Sequence, residues 1–281
     1  MFTTRTYRWL AGLALALLAQ AAMADLMLFP TRIVFDRQRA AQVELMNQGQ
    51  TPETYRIRLV NRRMGPNGEF VAVETPGPGE RFADAMLQFS PHQVTIPPGG
   101  TQIVRIALRR PVGLAEGEYR SHLQFDRVAD ASGASSIEDV AHSDGSSVGV
   151  VIQALIGASI PVIVRQGDTQ AKVALSDLQV LPAGPGNPQG AIALQLDREG
   201  NRSVYGDLVA TVTTPGGVTL EVGRAGGVAV YVPNASRRAV LPLQLPDGAL
   251  GLPPGGVVKV AYRDRPDAGG RLLAEASLAL P

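Results

Sequence analysis

Side chains able to do chemistry are few in this chain and poorly spaced for it. Histidine occurs only at positions 92, 122 and 142, spacings that fit neither a metal-binding helix nor a ββα finger, so each reads as a structural or solvated imidazole. Cysteine is absent, which removes disulfides, cysteine-zinc sites and thiol catalysis together. No Gly-x-Ser-x-Gly elbow occurs, and Gly99-Gly100-Thr101 lacks the lysine of a phosphate cradle. Asp and Glu are scattered through turn-like segments, where they serve as solvated turn residues. A glycosidase pair would need two carboxylates about 5–9 Å apart, brought together from distant positions. Aromatic residues make up 5% of the chain, which argues against a stacked sugar-binding platform. The expectation is a protein that is not an enzyme and uses no metal and no cofactor.

The chemistry the sequence does offer is that of a strand edge. The run from Val148 to Ile156 reads as one long strand, with Val148, Val150, Ile152, Ala154 and Ile156 on one uncharged face, because successive side chains alternate sides. Two readings compete. The face packs inside its own sheet, or the small and polar stretch 129–147 before it, expected to be mobile, leaves the strand free to pair with another protein.

The elements that must position such a strand follow from the rest of the chain. Arg5 and Arg8, the apolar stretch Leu10 to Leu18 and Ala22-Met23-Ala24 have the three-part plan of a secretory signal, so residues 1–24 are expected to be removed and Asp25 to begin the mature chain. The apolar stretch is about half of the roughly 20 residues a spanning helix needs, which argues against a membrane anchor. The mature chain would carry 24 basic and 25 acidic residues, a balance that gives no electrostatic reason to bind nucleic acid or anionic lipid.

From Leu26 onward short alternating segments are separated by Gly, Pro, Asn and Asp clusters, with no useful helical period. The class is all-β. Strands are expected near 26–36, 41–48, 54–63, 68–74, 86–96, 101–109, 118–127 and 148–165. A second set falls near 171–181, 190–198, 202–213, 217–222, 226–232, 238–245, 256–263 and 271–280. Tyr55, Ile57 and Leu59 alternate with Arg56 and Arg58, the mark of a half-buried antiparallel strand. Pro97-Pro98-Gly99-Gly100 supplies a turn. Tyr119 suits the tyrosine corner of an immunoglobulin-like sandwich. The polar hinge Gln166-Gly167-Asp168-Thr169 divides the two sets, giving two immunoglobulin-like β-sandwich domains at 25–166 and 167–281.

Three segments carry a family resemblance. Leu28-Phe29-Pro30-Thr31-Arg32-Ile33-Val34-Phe35-Asp36 resembles the first strand of the PapD-like periplasmic pilus chaperones, with its Thr-Arg-hydrophobic-x-Phe core. Ser90-Pro91 through Ile96-Pro97-Pro98-Gly99, followed by Gln102-Ile103-Val104-Arg105-Ile106, is similar to the family's proline-glycine turn and next strand. The long strand 148–165 follows in the right order, and Gly200 to Gly206 is a weaker local echo. The resemblance covers the first domain well and the second mainly by size and strand content.

It implies an L-shaped pair of immunoglobulin-like domains in the periplasm. Such a chaperone, with no enzymatic activity, binds pilin or fimbrial subunits, lends each a missing strand by donor-strand complementation and delivers it to an outer-membrane usher. On that resemblance Arg32 anchors the subunit's terminal carboxylate, whereas an isolated arginine in an edge strand would read as solvated. Val148, Val150, Ile152, Ala154 and Ile156 form the donated face. Burial of its four larger side chains contributes about 6–12 kcal/mol before ordering costs. Glu118 and Arg165 match the residues of a charged bridge between the domains.

One position departs from the pattern. Where the family has a second cleft cation, a lysine in the long strand, matching back from Arg165 places Pro161, which has neither charge nor N–H. Either Arg32 acts alone, or another basic residue such as Arg120 takes part, or the branch has an altered anchor. The main alternative function is a secreted two-domain immunoglobulin-like binding or adhesin module. A periplasmic hydrolase on a β-sandwich is a third.

Overall fold

A computed structural model of the chain describes residues 26–128, 157–246, 249 and 251–281. The segment 1–24 expected as a signal, the stretch 129–147 and the expected strand face of Val148, Val150, Ile152, Ala154 and Ile156 lie outside the described residues. Among the described residues no helix is long and apolar enough to cross a membrane.

The first half is built from β1 (Leu26–Phe29), β2 (Ile33–Phe35), β3 (Ala40–Asn47), β4 (Glu53–Val60), β5 (Arg62–Met64), β6 (Phe70–Ala72), β7 (Leu87–Ser90), β8 (Gln93–Ile96), β9 (Thr101–Leu108), β10 (Gly117–Val128) and β11 (Gly157–Gln166). One sheet has the order β1-β3-β9-β7 and the facing sheet the order β2-β11-β10-β4-β8, while β5 and β6 form a separate hairpin. The second half contributes β12 (Ala171–Leu181), β13 (Ala191–Gly200), β14 (Val204–Thr213), β15 (Thr219–Val230), β16 (Ser236–Pro242), β17 (Val257–Asp264) and β18 (Leu272–Ala279). They form the sheets β12-β13-β16 and β15-β14-β17-β18. The fold is all-β, with two immunoglobulin-like sandwiches, each with its own hydrophobic core.

Alternation decides most of this. Along β4, Tyr55 and Ile57 are buried while Arg56 and Arg58 are exposed, and the strand pairs antiparallel with β8 and β10. Phe35, Leu45, Ile96, Leu123, Phe125 and Val162 meet in the first core. The turn expected at Pro97 to Gly100 closes with a 2.9 Å bond from the Gly100 amide to the Pro97 carbonyl, and Gly99 takes the positive φ (66°) that favours glycine. The Tyr119 hydroxyl donates to the Ala115 carbonyl at 2.9 Å, which forms the corner expected from its place at the strand entrance.

Several expected strands divide or fuse. The segment 26–36 breaks at Pro30, so β1 joins β3 in one sheet while β2 runs parallel to β11 in the other. The segment 86–96 breaks at Pro91 in the same way, with β7 beside β9 and β8 beside β4. Proline has no N–H to continue a ladder, and each break lets the chain change sheets. Conversely, 217–222 and 226–232 belong to the single strand β15. Gly226 and Gly227 form a bulge opposite Asp207, whose carboxylate accepts the Gly227 amide at 2.9 Å.

Candidate functional site

The site grows from the alternation of β10. Leu123 and Phe125 enter the first core, so Glu118, Arg120, His122 and Gln124 take the opposite face. In the ladder with β11 these positions lie opposite Arg165, Ile163, Pro161 and Ser159. Ile163 packs in the second core, so this face is turned toward the second sandwich.

Glu118 and Arg165, paired from the sequence, come together there. Arg165 Nε donates to Glu118 Oε2 at 3.1 Å, with side-chain exposures of 9% and 2%. Arg165 Nη1 also approaches the Asp36 carboxylate at 3.3 Å. Glu118 then reaches across: it accepts the Ser203 amide at 3.2 Å and the Ser203 hydroxyl, both from the second sandwich. Two bonds from the opposite direction tie down the β5–β6 hairpin. Asn234 Nδ2 donates to the Met64 carbonyl at 2.9 Å, and the Arg238 amide donates to the Pro66 carbonyl at 2.7 Å.

Arg32 lies just before β2, half-buried, in a stack of cations and rings drawn from both sandwiches. Its guanidinium carbon is 4.6 Å from the Tyr205 ring centre and 5.5 Å from that of Tyr231. Arg120 lies 4.3 Å from the same Tyr231 ring and 6.0 Å from Phe70 on the hairpin. Arg120 Nη2 donates to the Arg62 carbonyl at 3.1 Å. Arg120 Nε and Nη1, together with Arg32 Nη1, are buried with no hydrogen-bond partner among the described residues. Burial lowers the Arg120 pKa, and the Arg32 charge pushes the same way. The nearby Glu80 is engaged elsewhere: it bonds Arg63 at 2.7 Å and the Gly77 amide at 2.7 Å, and the Arg63 bond holds its carboxyl below the ordinary range.

His122 lies beyond Arg120 with Phe70 packed on it edge-to-face at 5.2 Å, and both of its ring nitrogens are buried with no partner among the described residues. Burial first, then the charges of Arg120 and Arg62, push its pKa down from 6.5 to about 3. It is a neutral structural histidine, as its isolation in the sequence suggested. Among the described residues no group of three or more His, Asp or Glu side chains is placed to hold a metal.

On the other side of Arg32 a cleft of about 860 Å³ opens, bounded by Arg32, Arg165, Arg202, Tyr205, Arg265 and Leu272 among others. Most of its charge comes from arginine. Pro161 stands opposite His122, on a stretch of β11 where β2 supplies no second neighbour. Of the residues in this site, Tyr231 and Phe70 carried no sequence signal, since each occurs in an ordinary alternating run, and Tyr205 lay only within the weaker echo from Gly200 to Gly206. Arg120 was visible only as one alternative for the missing cation.

Solved structures that the fold resembles include several PapD-like fimbrial chaperones. The Pseudomonas aeruginosa CupB2 chaperone is 14% identical, with a TM-score of 0.44 over 91% of this chain and 100% of that one. The YadV chaperone is 12% identical, with a TM-score of 0.44 over 92% and 100%. A third, the Salmonella enterica SafA pilin in complex with the SafB chaperone, is 13% identical, with a TM-score of 0.41 over 92% and 97%. No protein-family model matches the chain, and no curated protein matches it.

Proposed function

We propose that this protein is a periplasmic chaperone that binds pilus or fimbrial subunits by donating a strand, and that it hands them to an outer-membrane usher. The observation that carries the reading is an open edge. Among the described residues β11 has β10 along its whole length, but β2 covers it only at Val162–Val164, leaving Gly157 to Pro161 with one neighbour. A subunit lacking a strand exposes the complementary defect, and main-chain bonding repairs both. Along β11 Ile160, Val162 and Val164 face the first core. Val148, Val150, Ile152, Ala154 and Ile156 continue that parity and form the donated face. The first sandwich, residues 25–166, holds the subunit, and the second, 167–281, completes the cleft in which Arg32 receives the subunit's carboxylate. Glu118 and Arg165 fix the two sandwiches against each other.

The test is Ile152→Asp and Ile156→Asp in the mature chain, co-expressed with a fimbrial subunit of the same organism. Each should abolish co-purification by placing an unpaired charge in an apolar groove, with the melting temperature of the free protein unchanged. A sharp fall in that temperature would instead place the face in the protein's own core.

A further inference from the structure

The cleft beside Arg32 is far more basic than the chain around it. The whole sequence has 26 basic and 25 acidic side chains. The cleft is lined by six cations, Arg32, Arg165, Lys172, Arg202, Arg265 and Arg271, against two acids, Asp264 and Asp267. Part of that charge is answered within the protein. Arg165 is bonded to Glu118 and faces Asp36, Arg265 Nη1 meets Asp207 at 3.1 Å, and Arg271 Nε reaches Asp264 at 3.4 Å. Lys172 and Arg202, both exposed and both from the second sandwich, have no side-chain hydrogen bond or ion pair among the described residues. Asp36, Glu118 and Asp264 act on Arg202 from beyond ion-pair reach, while the like charge of Arg165 works against it. On an open surface water solvates such groups, but a cleft walled with one sign of charge focuses their field on whatever enters.

The same walls carry apolar surface. Phe29 from the first sandwich is 71% exposed and Leu272 from the second 40%, with Val173 and Tyr205 between the cations. A phosphate or a lipid headgroup has no use for that surface, whereas a polypeptide with acidic and apolar side chains meets both kinds. The volume of about 860 Å³ holds more than a single carboxylate. The cleft also adjoins the open edge, because β2 follows Arg32 directly and pairs with β11.

We propose that Lys172 and Arg202 make the second sandwich's wall of the cleft a charge selector, which meets Asp and Glu side chains on the bound subunit and favours subunits that carry them there. The inference rests on the reading above, that a subunit binds along β11 and reaches this cleft. The groups recognised are side-chain carboxylates, and the cations that meet them are distinct from Arg32. Complementary charge of this kind acts on the rate of encounter and on the choice of partner more than on the lifetime of the complex.

The experiment is stopped-flow capture of a strand-deficient fimbrial subunit from the same organism by the mature chain, at about 50 and about 500 mM sodium chloride. The association rate of the parent should fall tenfold or more at the higher salt. Lys172→Glu with Arg202→Glu should lower the rate tenfold or more at low salt and remove most of its salt dependence, with the dissociation rate within threefold of the parent. Lys172→Gln with Arg202→Gln should lie between. Arg56→Glu with Arg105→Glu makes the same change in net charge at two exposed positions away from the cleft and should leave the rate within twofold. Carbodiimide treatment of the complex should join Lys172 Nζ to an Asp or Glu side chain of the subunit, read by mass spectrometry. Folded Lys172→Glu, Arg202→Glu protein that captures the subunit at the parent's rate would overturn the proposal and leave strand donation standing. An equal loss in the Arg56 and Arg105 control, or a cross-link only to the subunit's terminal carboxylate, would also overturn it. Displacement of the subunit by phosphatidylglycerol vesicles that depends on Lys172 and Arg202 would make the wall a lipid site instead. A parent chain that captures no subunit removes the reading beneath the proposal, and the proposal with it.

Discussion

Replacing His122 by leucine should make the protein less sensitive to acid, in an amount that follows from where the imidazole sits. The ring is 2% exposed, neither nitrogen has a hydrogen-bond partner among the described residues, and Arg120 and Arg62 add positive charge nearby. Its folded pKa is about 3, against 6.5 in an unfolded chain. Between those values the unfolded state holds more protons, so stability is fully present above pH 6.5 and is lost as pH falls toward 3. The slope approaches about 1.4 kcal/mol per pH unit. From pH 6 to pH 4 the histidine should therefore remove about 2.5 kcal/mol that the leucine variant keeps. Urea denaturation followed by circular dichroism at pH 7, 6, 5 and 4 measures this as the changing gap between the two proteins. Contributions from carboxylates are common to both and cancel, and any offset at pH 7 reports packing alone. Stability curves that run parallel across this range would refute the buried, neutral assignment of His122.

Two further outcomes concern the joint between the sandwiches and the corner that supports β10. Glu118→Ala removes the buried partner of Arg165 and leaves the Ser203 amide and hydroxyl short of an acceptor. It should cost about 3–5 kcal/mol in thermal or urea unfolding, with Glu118→Gln costing less. Tyr119→Phe deletes only the 2.9 Å bond to the Ala115 carbonyl and should cost about 1 kcal/mol by the same measurement.

What could be read from the sequence was whatever repeats along the chain. The two-residue period of Tyr55, Ile57 and Leu59 and the proline-glycine turn before Thr101 report local geometry, and local geometry is enough to define strands and sandwiches. Pro30 and Pro91 were in plain view, yet a proline does not say that the chain will cross from one sheet to the other, because that depends on partners far away in sequence. The gap expected at 223–225 misleads for a related reason: only the pairing with β14 shows that one strand runs through it, with its irregularities taken up as register shifts. The site is harder still. Arg32, Glu118 and Arg165 stood out through flanking motifs, whereas Tyr231, Phe70 and Tyr205 became part of the site only when the second sandwich and the β5–β6 hairpin closed over β10. No spacing in the chain encodes that meeting.

The central claim is that the open edge of β11 is where a subunit binds. Hydrogen exchange at the amides of Gly157, Ala158, Ser159 and Ile160, measured by NMR with and without a strand-deficient fimbrial subunit from the same organism, tests it most directly. The amides directed away from β10 should exchange quickly in the free protein and slow by a hundredfold or more in the complex, as new ladder bonds form along the edge. A stable complex in which these amides exchange as fast as in the free protein would contradict strand donation.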